Sequence, residues 1–198
     1  MTSISSRDDI FTLLVHLGYL AYDFDNEEVS IPNQEVRKEF VRAVKEGRRP
    51  ELAEAVKLSD KLLEATLQMD ERAVAEIIDK VHLSTTSPKN YNDEQSLRCV
   101  VIMAYLSCMD HYLRFEEIAG GRGYCDILFL PRKVSLKPAL LIELKWDKST
   151  ERAVAQIKSK RYTEVLKQFD YSGKLLIIGI NYNTKTGKHK CKIEEYVS

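Results

Sequence analysis

The run Ala139-Leu140-Leu141-Ile142-Glu143-Leu144-Lys145-Trp146 constrains the fold most. Side chains of a strand alternate faces, so Glu143 and Lys145 share one face, about 7 Å apart. Leu140, Ile142, Leu144 and Trp146 take the other. The rest of the run is apolar, the pattern of a strand covered on both sides. Charges on a covered strand are costly unless paired or bound to a metal. A second predicted strand, about Tyr124–Leu130, carries Asp126 just after Gly121 and Gly123. Asp126, Glu143 and Lys145 therefore form a site hypothesis. The competing readings are an edge strand with charges in water, and a turn acid after the glycines.

The chain has 198 residues, 44% apolar and 30% charged, enough for one sizeable core or two small ones. It has no apolar stretch near the 18 or so residues of a membrane span, and residues 1–20 lack the order of a signal peptide. Cys99, Cys108, Cys125 and Cys191 form no CxxC pair, so neither a zinc cluster nor a disulfide framework is indicated. A cytoplasmic protein without a membrane segment is expected. The net charge of zero argues against strong non-specific nucleic-acid binding. Residues 91–198 nevertheless hold 18 Lys/Arg against 13 Asp/Glu, leaving the first 90 residues net acidic. That asymmetry points weakly to an anionic partner for the second half.

Residues 1–85 read as helical: helices over 8–17, from Pro32-Asn33 to near Gly47, from Pro50, and from an N-cap at Asp70. Only Glu28–Ile31 reads as a strand there. Residues 83–91 are the linker candidate, rich in Ser, Thr, Pro and Asn. Residues 86–198 then follow an α-β-β-β-α-β-β order. Its helices are expected over 93–110 and 150–161. Strands are expected near 112–117, 124–130, 139–146, 174–182 and 190–196. Strict strand–helix alternation is lacking, which excludes a doubly wound fold.

Several stretches share a resemblance. They are Ile31-Pro32-Asn33-Gln34-Glu35-Val36-Arg37, Tyr91-Asn92-Asp93-Glu94-Gln95-Ser96-Leu97-Arg98, Gly121-Arg122-Gly123-Tyr124-Cys125-Asp126, Ile142-Glu143-Leu144-Lys145-Trp146 and Gln156-Ile157. In that order they resemble the PD-(D/E)XK nuclease superfamily, in the bacterial branch found C-terminal to an AAA-ATPase-like domain. The resemblance implies an α/β protein with a restriction-endonuclease-like core over 86–198 and a helical N-terminal region over 1–85. It implies a nuclease hydrolysing DNA phosphodiester bonds with Mg²⁺, Mn²⁺ also fitting. Asp126 and Glu143 would be metal ligands, with the Leu144 carbonyl as a further oxygen and Glu94 completing the acidic cluster. Lys145 would orient or deprotonate a water. The neighbouring acids favour its charged ammonium, hence the orienting role. Gln156 would position Lys145 or a DNA phosphate. The implied partners are DNA and an AAA-ATPase-like domain or subunit. Cys125 stands where the superfamily's name has proline, and no GxxxxGK[ST] loop is present.

Other residues carry two readings each. Without the resemblance, Glu94 and Arg98 are an ordinary i,i+4 pair. Arg122 suits a phosphate or a pairing with Glu116 or Glu117. Lys158, Lys160 and Arg161 suit a helix dipole better than a phosphate. Trp146 suits the core better than base stacking. His16, His82, His111 and His189 lack ligand spacing. The functional alternative is a catalytically silent module that binds nucleic acid or a partner protein, and a third idea makes residues 1–82 an adaptor.

Overall fold

A computed structural model describes residues 7–24, 28–46, 50–85, 91, 93–132 and 136–196. Most of the linker candidate, residues 86–90, lies outside these. The chain divides into two compact units, Met1–Ala53 and Glu54–Ser198. The sequence pattern changes near residue 85, yet residues 54–85 belong to the second unit, because their apolar face is needed to cover the sheet.

The first unit holds helix α1 (Arg7–His16), a small antiparallel pair of strands, β1 (Ala21–Asp23) and β2 (Glu28–Ser30), and helix α2 (Gln34–Glu46). β1 was not expected, since three residues are too few to show a period. Asn33 starts α2 by accepting the Val36 N–H at 2.9 Å, the service an N-cap performs. Helix α3 (Pro50–Leu67) spans the division between the units.

In the second unit Asp70 caps helix α4 (Glu71–Thr85), accepting the Ala73 N–H at 2.9 Å. Asp93 and Ser96 form a reciprocal capping box on α5 (Glu94–Ala104). The expected long helix stops at Tyr105, and Leu106–Asp110 continues as a 3₁₀ turn. Two buried hydrogen bonds hold that break: the Tyr105 hydroxyl meets Thr66 Oγ1 at 2.8 Å, and the Ser107 N–H donates to Ser59 Oγ at 2.7 Å.

The strands β3 (Tyr112–Gly120), β4 (Gly123–Pro131), β5 (Ala139–Trp146), β6 (Leu175–Asn183) and β7 (Lys188–Tyr196) form one sheet in that order. Only β5–β6 is parallel, because its connection passes through helix α6 (Thr150–Ser159) and a 3₁₀ segment, Tyr162–Phe169. The result is a mixed five-stranded sheet flanked by helices, the α/β restriction-endonuclease-like core that was expected.

β5 is central, which removes the edge-strand reading of its charges. Leu140, Ile142 and Leu144 pack with α3, α4 and α5 on one side. Ala139 and Leu141 pack with α6 and the Tyr162 segment on the other. Gly179 on β6 lets α6 approach, since a Cβ there would lie 2.6 Å from the Thr150 carbonyl oxygen.

Candidate active site

Glu143 and Lys145 are 2% and 6% exposed, so both charges sit on a covered strand. The Lys145 ammonium donates to Glu143 Oε1 at 2.7 Å and lies 3.8 Å from Glu94 Oε1. Gln156, from α6, donates its amide N–H to the same Glu143 Oε1 and to the Tyr162 hydroxyl, the latter at 3.1 Å. Gln156 thus meets Glu143 rather than Lys145. Both donors use one carboxylate oxygen. The other, Glu143 Oε2, is buried and has no hydrogen-bond partner.

Asp126 sits at a defect in the sheet. The β4–β5 ladder pairs Phe129, Leu128 and Ile127 with Leu140, Leu141 and Ile142, and ends there. Continuing that register puts Asp126 beside Glu143. The β3–β4 ladder skips the Glu117–Asp126 position, where Glu117 has φ +47°. Face alternation resets across this step, so Cys125 and Leu128 pack in the same apolar cluster. The Asp126 carboxylate substitutes for the missing ladder acceptor: its Oδ2 takes the Leu144 N–H at 2.7 Å. Its Oδ1 takes Arg98 Nη2 at 3.3 Å, and Arg98 Nη1 reaches Glu117 at 2.5 Å.

Glu94, Asp126, Glu143, Lys145 and Gln156 therefore converge from α5, β4, β5 and α6. The pKa of Glu143 is pushed up to about 7, first by burial, then by the Asp126 charge, with Lys145 opposing. A buried carboxylate beside a second acid is short of positive charge. Among the described residues, no three His, Cys, Asp or Glu side chains stand in ready metal-ligand geometry. The Lys145 ammonium occupies the space between Glu143 and Glu94 instead.

Two partners escaped the sequence reading. Arg98 does not pair with Glu94 as an i,i+4 partner but reaches Asp126 and Glu117. Its place on the Glu94 face of the helix was the available signal. Tyr162, which holds Gln156, was missed, although Tyr162, Val165, Leu166 and Phe169 recur at helical spacing, the signal that could have found its segment. Trp146 lies against Tyr91 and Tyr182, at ring separations of 5.2 and 4.8 Å, and serves the core. His82 and His189 also meet in that buried cluster.

Fold and site define a restriction-endonuclease-like core with a carboxylate pair and a lysine at a gap in the sheet. The PD-(D/E)XK nuclease superfamily model matches residues 92–192, and the chain belongs to that superfamily. No curated protein matches the chain. No helix among the described residues is long and apolar enough to cross a membrane.

Proposed function

We propose that the chain is a Mg²⁺-dependent nuclease that hydrolyses phosphodiester bonds in DNA, Mn²⁺ also serving. One observation carries the reading: the partnerless buried Oε2 of Glu143, next to Asp126. Such an oxygen suits a hard cation, and Mg²⁺ typically takes one or two carboxylates and keeps its waters. Among the described residues that oxygen has one acid, Asp126, beside it, which fits that habit. Asp126 and Glu143 would hold the ion, with the Leu144 carbonyl, and Glu94 would complete the acidic set. When bound, the ion offsets charge on the phosphoryl oxygens and activates a water.

The chain's own groups do the rest. Arg98 and the Leu144 N–H fix the Asp126 carboxylate. Gln156, braced by Tyr162, fixes Glu143. Lys145 is placed to donate to the attacking water or to a phosphate oxygen. We place the activity in a reducing cytoplasm, which the four free cysteines suit. We take 86–198 as the nuclease domain and 1–85 as its helical accessory region, with an AAA-ATPase-like domain or subunit as partner.

The test is cleavage of supercoiled, linear and single-stranded DNA with Mg²⁺ or Mn²⁺. Asp126→Ala and Lys145→Ala should each lower the rate about 100-fold or more. Activity that survives both substitutions overturns the assignment. The second reading, a silent module, draws on Lys145 and Arg98, which already offset the acids. Calorimetric titration with Mg²⁺ separates the two: no binding at millimolar metal favours the module.

A further inference from the structure

We infer that the β3–β4 hairpin tip is a stacking platform for an unpaired DNA strand, with Tyr124 as the ring on which a base lies. This rests on the nuclease reading and adds the form of substrate. Tyr124 is 66% exposed. Among the described residues of the second unit it is the one exposed aromatic side chain. The other Phe, Tyr and Trp rings described there are buried or partly covered, Trp146 included. The single open ring stands two residues before Asp126, about 7 Å along the strand.

The tip is held rigidly. Gly121 has φ +55°, and a Cβ on it would run into the carbonyl oxygens of Lys160 and Arg161. The Arg122 N–H donates to the Lys160 carbonyl oxygen at 2.7 Å. At Gly123 a Cβ would lie 2.9 Å from the Tyr162 hydroxyl, and that hydroxyl accepts from Gln156, which holds Glu143. The platform and the carboxylates are thus parts of one packed assembly, so an aromatic ring is presented at a set distance from the site.

Exposed positive charge sits at the hairpin tip and on the chain packed against it. Arg122 and Lys160 are exposed and have no carboxylate partner among the described residues. Arg161 is exposed and meets only Glu164, at 3.5 Å. The nearby acids are engaged, Glu117 by Arg98 and Glu116 by Arg114 at 3.1 Å. An open ring with a free cation two residues away, Arg122, is the combination that holds single strands: a base stacks on the ring, and a phosphate beside it meets the cation. A paired base shows its edges and keeps its faces inside the stack, so this ring favours an unpaired strand over a duplex. The two-residue spacing places the stacked base within one or two nucleotides of the scissile phosphate, for a strand rise of about 3.4 Å or more.

The experiment measures binding of a labelled 20-nucleotide single strand and of the matching blunt duplex by anisotropy, in EDTA, with the full chain. Tyr124→Ala should weaken single-strand binding about 5- to 150-fold and duplex binding by less than about 2-fold. Tyr124→Phe should restore single-strand binding. Arg122→Ala should flatten the salt dependence of single-strand binding by about 0.7 in log–log slope. Unchanged single-strand affinity in Tyr124→Ala, or an equal loss on both forms, overturns the platform. Cleavage is read separately. If wild type cleaves with Mg²⁺ but Tyr124→Ala binds normally, the platform falls and the nuclease stands. If wild type cleaves nothing yet single-strand binding depends on Tyr124, the nuclease falls and the platform stands.

Discussion

In the sheet unit Leu140, Ile142 and Leu144 are wholly buried, whereas in the N-terminal unit Leu17, Tyr19, Phe24 and Val29 are exposed. None of the N-terminal residues whose exposure is described is buried. Both units contain amphipathic helices, so local pattern is not the difference. A sheet with helices on both faces encloses two apolar layers. A short helix–hairpin–helix unit of about 50 residues has too little volume to enclose one. Stability therefore resides in residues 54–198, and it is there that a costly buried acid can be tolerated. Each measurement below would break or sharpen that contrast.

The largest effect should be at the core. Leu140→Ala should cost about 2–5 kcal/mol by lost burial and a cavity. Leu17→Ala should stay within about 0.5 kcal/mol, as exposed substitutions do. Urea unfolding followed by fluorescence reads this directly, since Trp146 is the chain's one tryptophan. Similar losses at both positions would erase the contrast.

A smaller effect is expected from polar groups. Ser59→Ala leaves the buried Ser107 N–H without its acceptor and should cost about 1–3 kcal/mol. The same unfolding curve should hardly move for Asn33→Ala, which removes an exposed cap in the other unit. A larger shift at Asn33 than at Ser59 would reverse the assignment of stability.

The smallest effect is set by pH. His189 is bonded to Asp79 through Nδ1 and to the Tyr91 hydroxyl through Nε2, each at 2.7 Å. Burial lowers the pKa of His189, and Asp79 only partly opposes it. Burial lowers His82 likewise. Burial alone would raise Asp79, but the N–H and ring of His189 and the Lys188 ammonium outweigh it and hold it low. All three folded values lie below the unfolded ones. Their contribution is therefore complete above the histidine value of about 6.5 and is lost as pH falls. Glu143, raised to about 7, titrates in the same window with the opposite sign, so the histidine effect is read in Glu143→Gln: there the Trp146 melting temperature should drop between pH 7.5 and 5.5, and replacing both histidines by Asn should flatten that slope. A Glu143→Gln melting temperature that rises on acidification would contradict the sign.

Much of the fold was legible because its signals are local. The apolar run of β5 and the cap at Asp70 each depend on residues within a few positions. Less legible was the break at Tyr105, since it follows from bonds to Thr66 and Ser59, far away in sequence. The 3₁₀ segment after α6 was missed although its signal is local: Tyr162, Val165, Leu166 and Phe169 recur at helical spacing.

At the site, the sequence alone placed Glu143 and Lys145 together on one face of a largely apolar strand. The two-residue period and the apolar neighbours require that, whatever the rest of the chain does. Tertiary structure decided what offsets those charges. It turned Asp126 toward the Leu144 N–H, brought Arg98 to Asp126 rather than to Glu94, and set Gln156 on Glu143 with Tyr162 behind it. It also covered Trp146 and left Tyr124 open. These depend on strand register and helix docking across tens of residues, where side-chain reach, not sequence spacing, selects the partner.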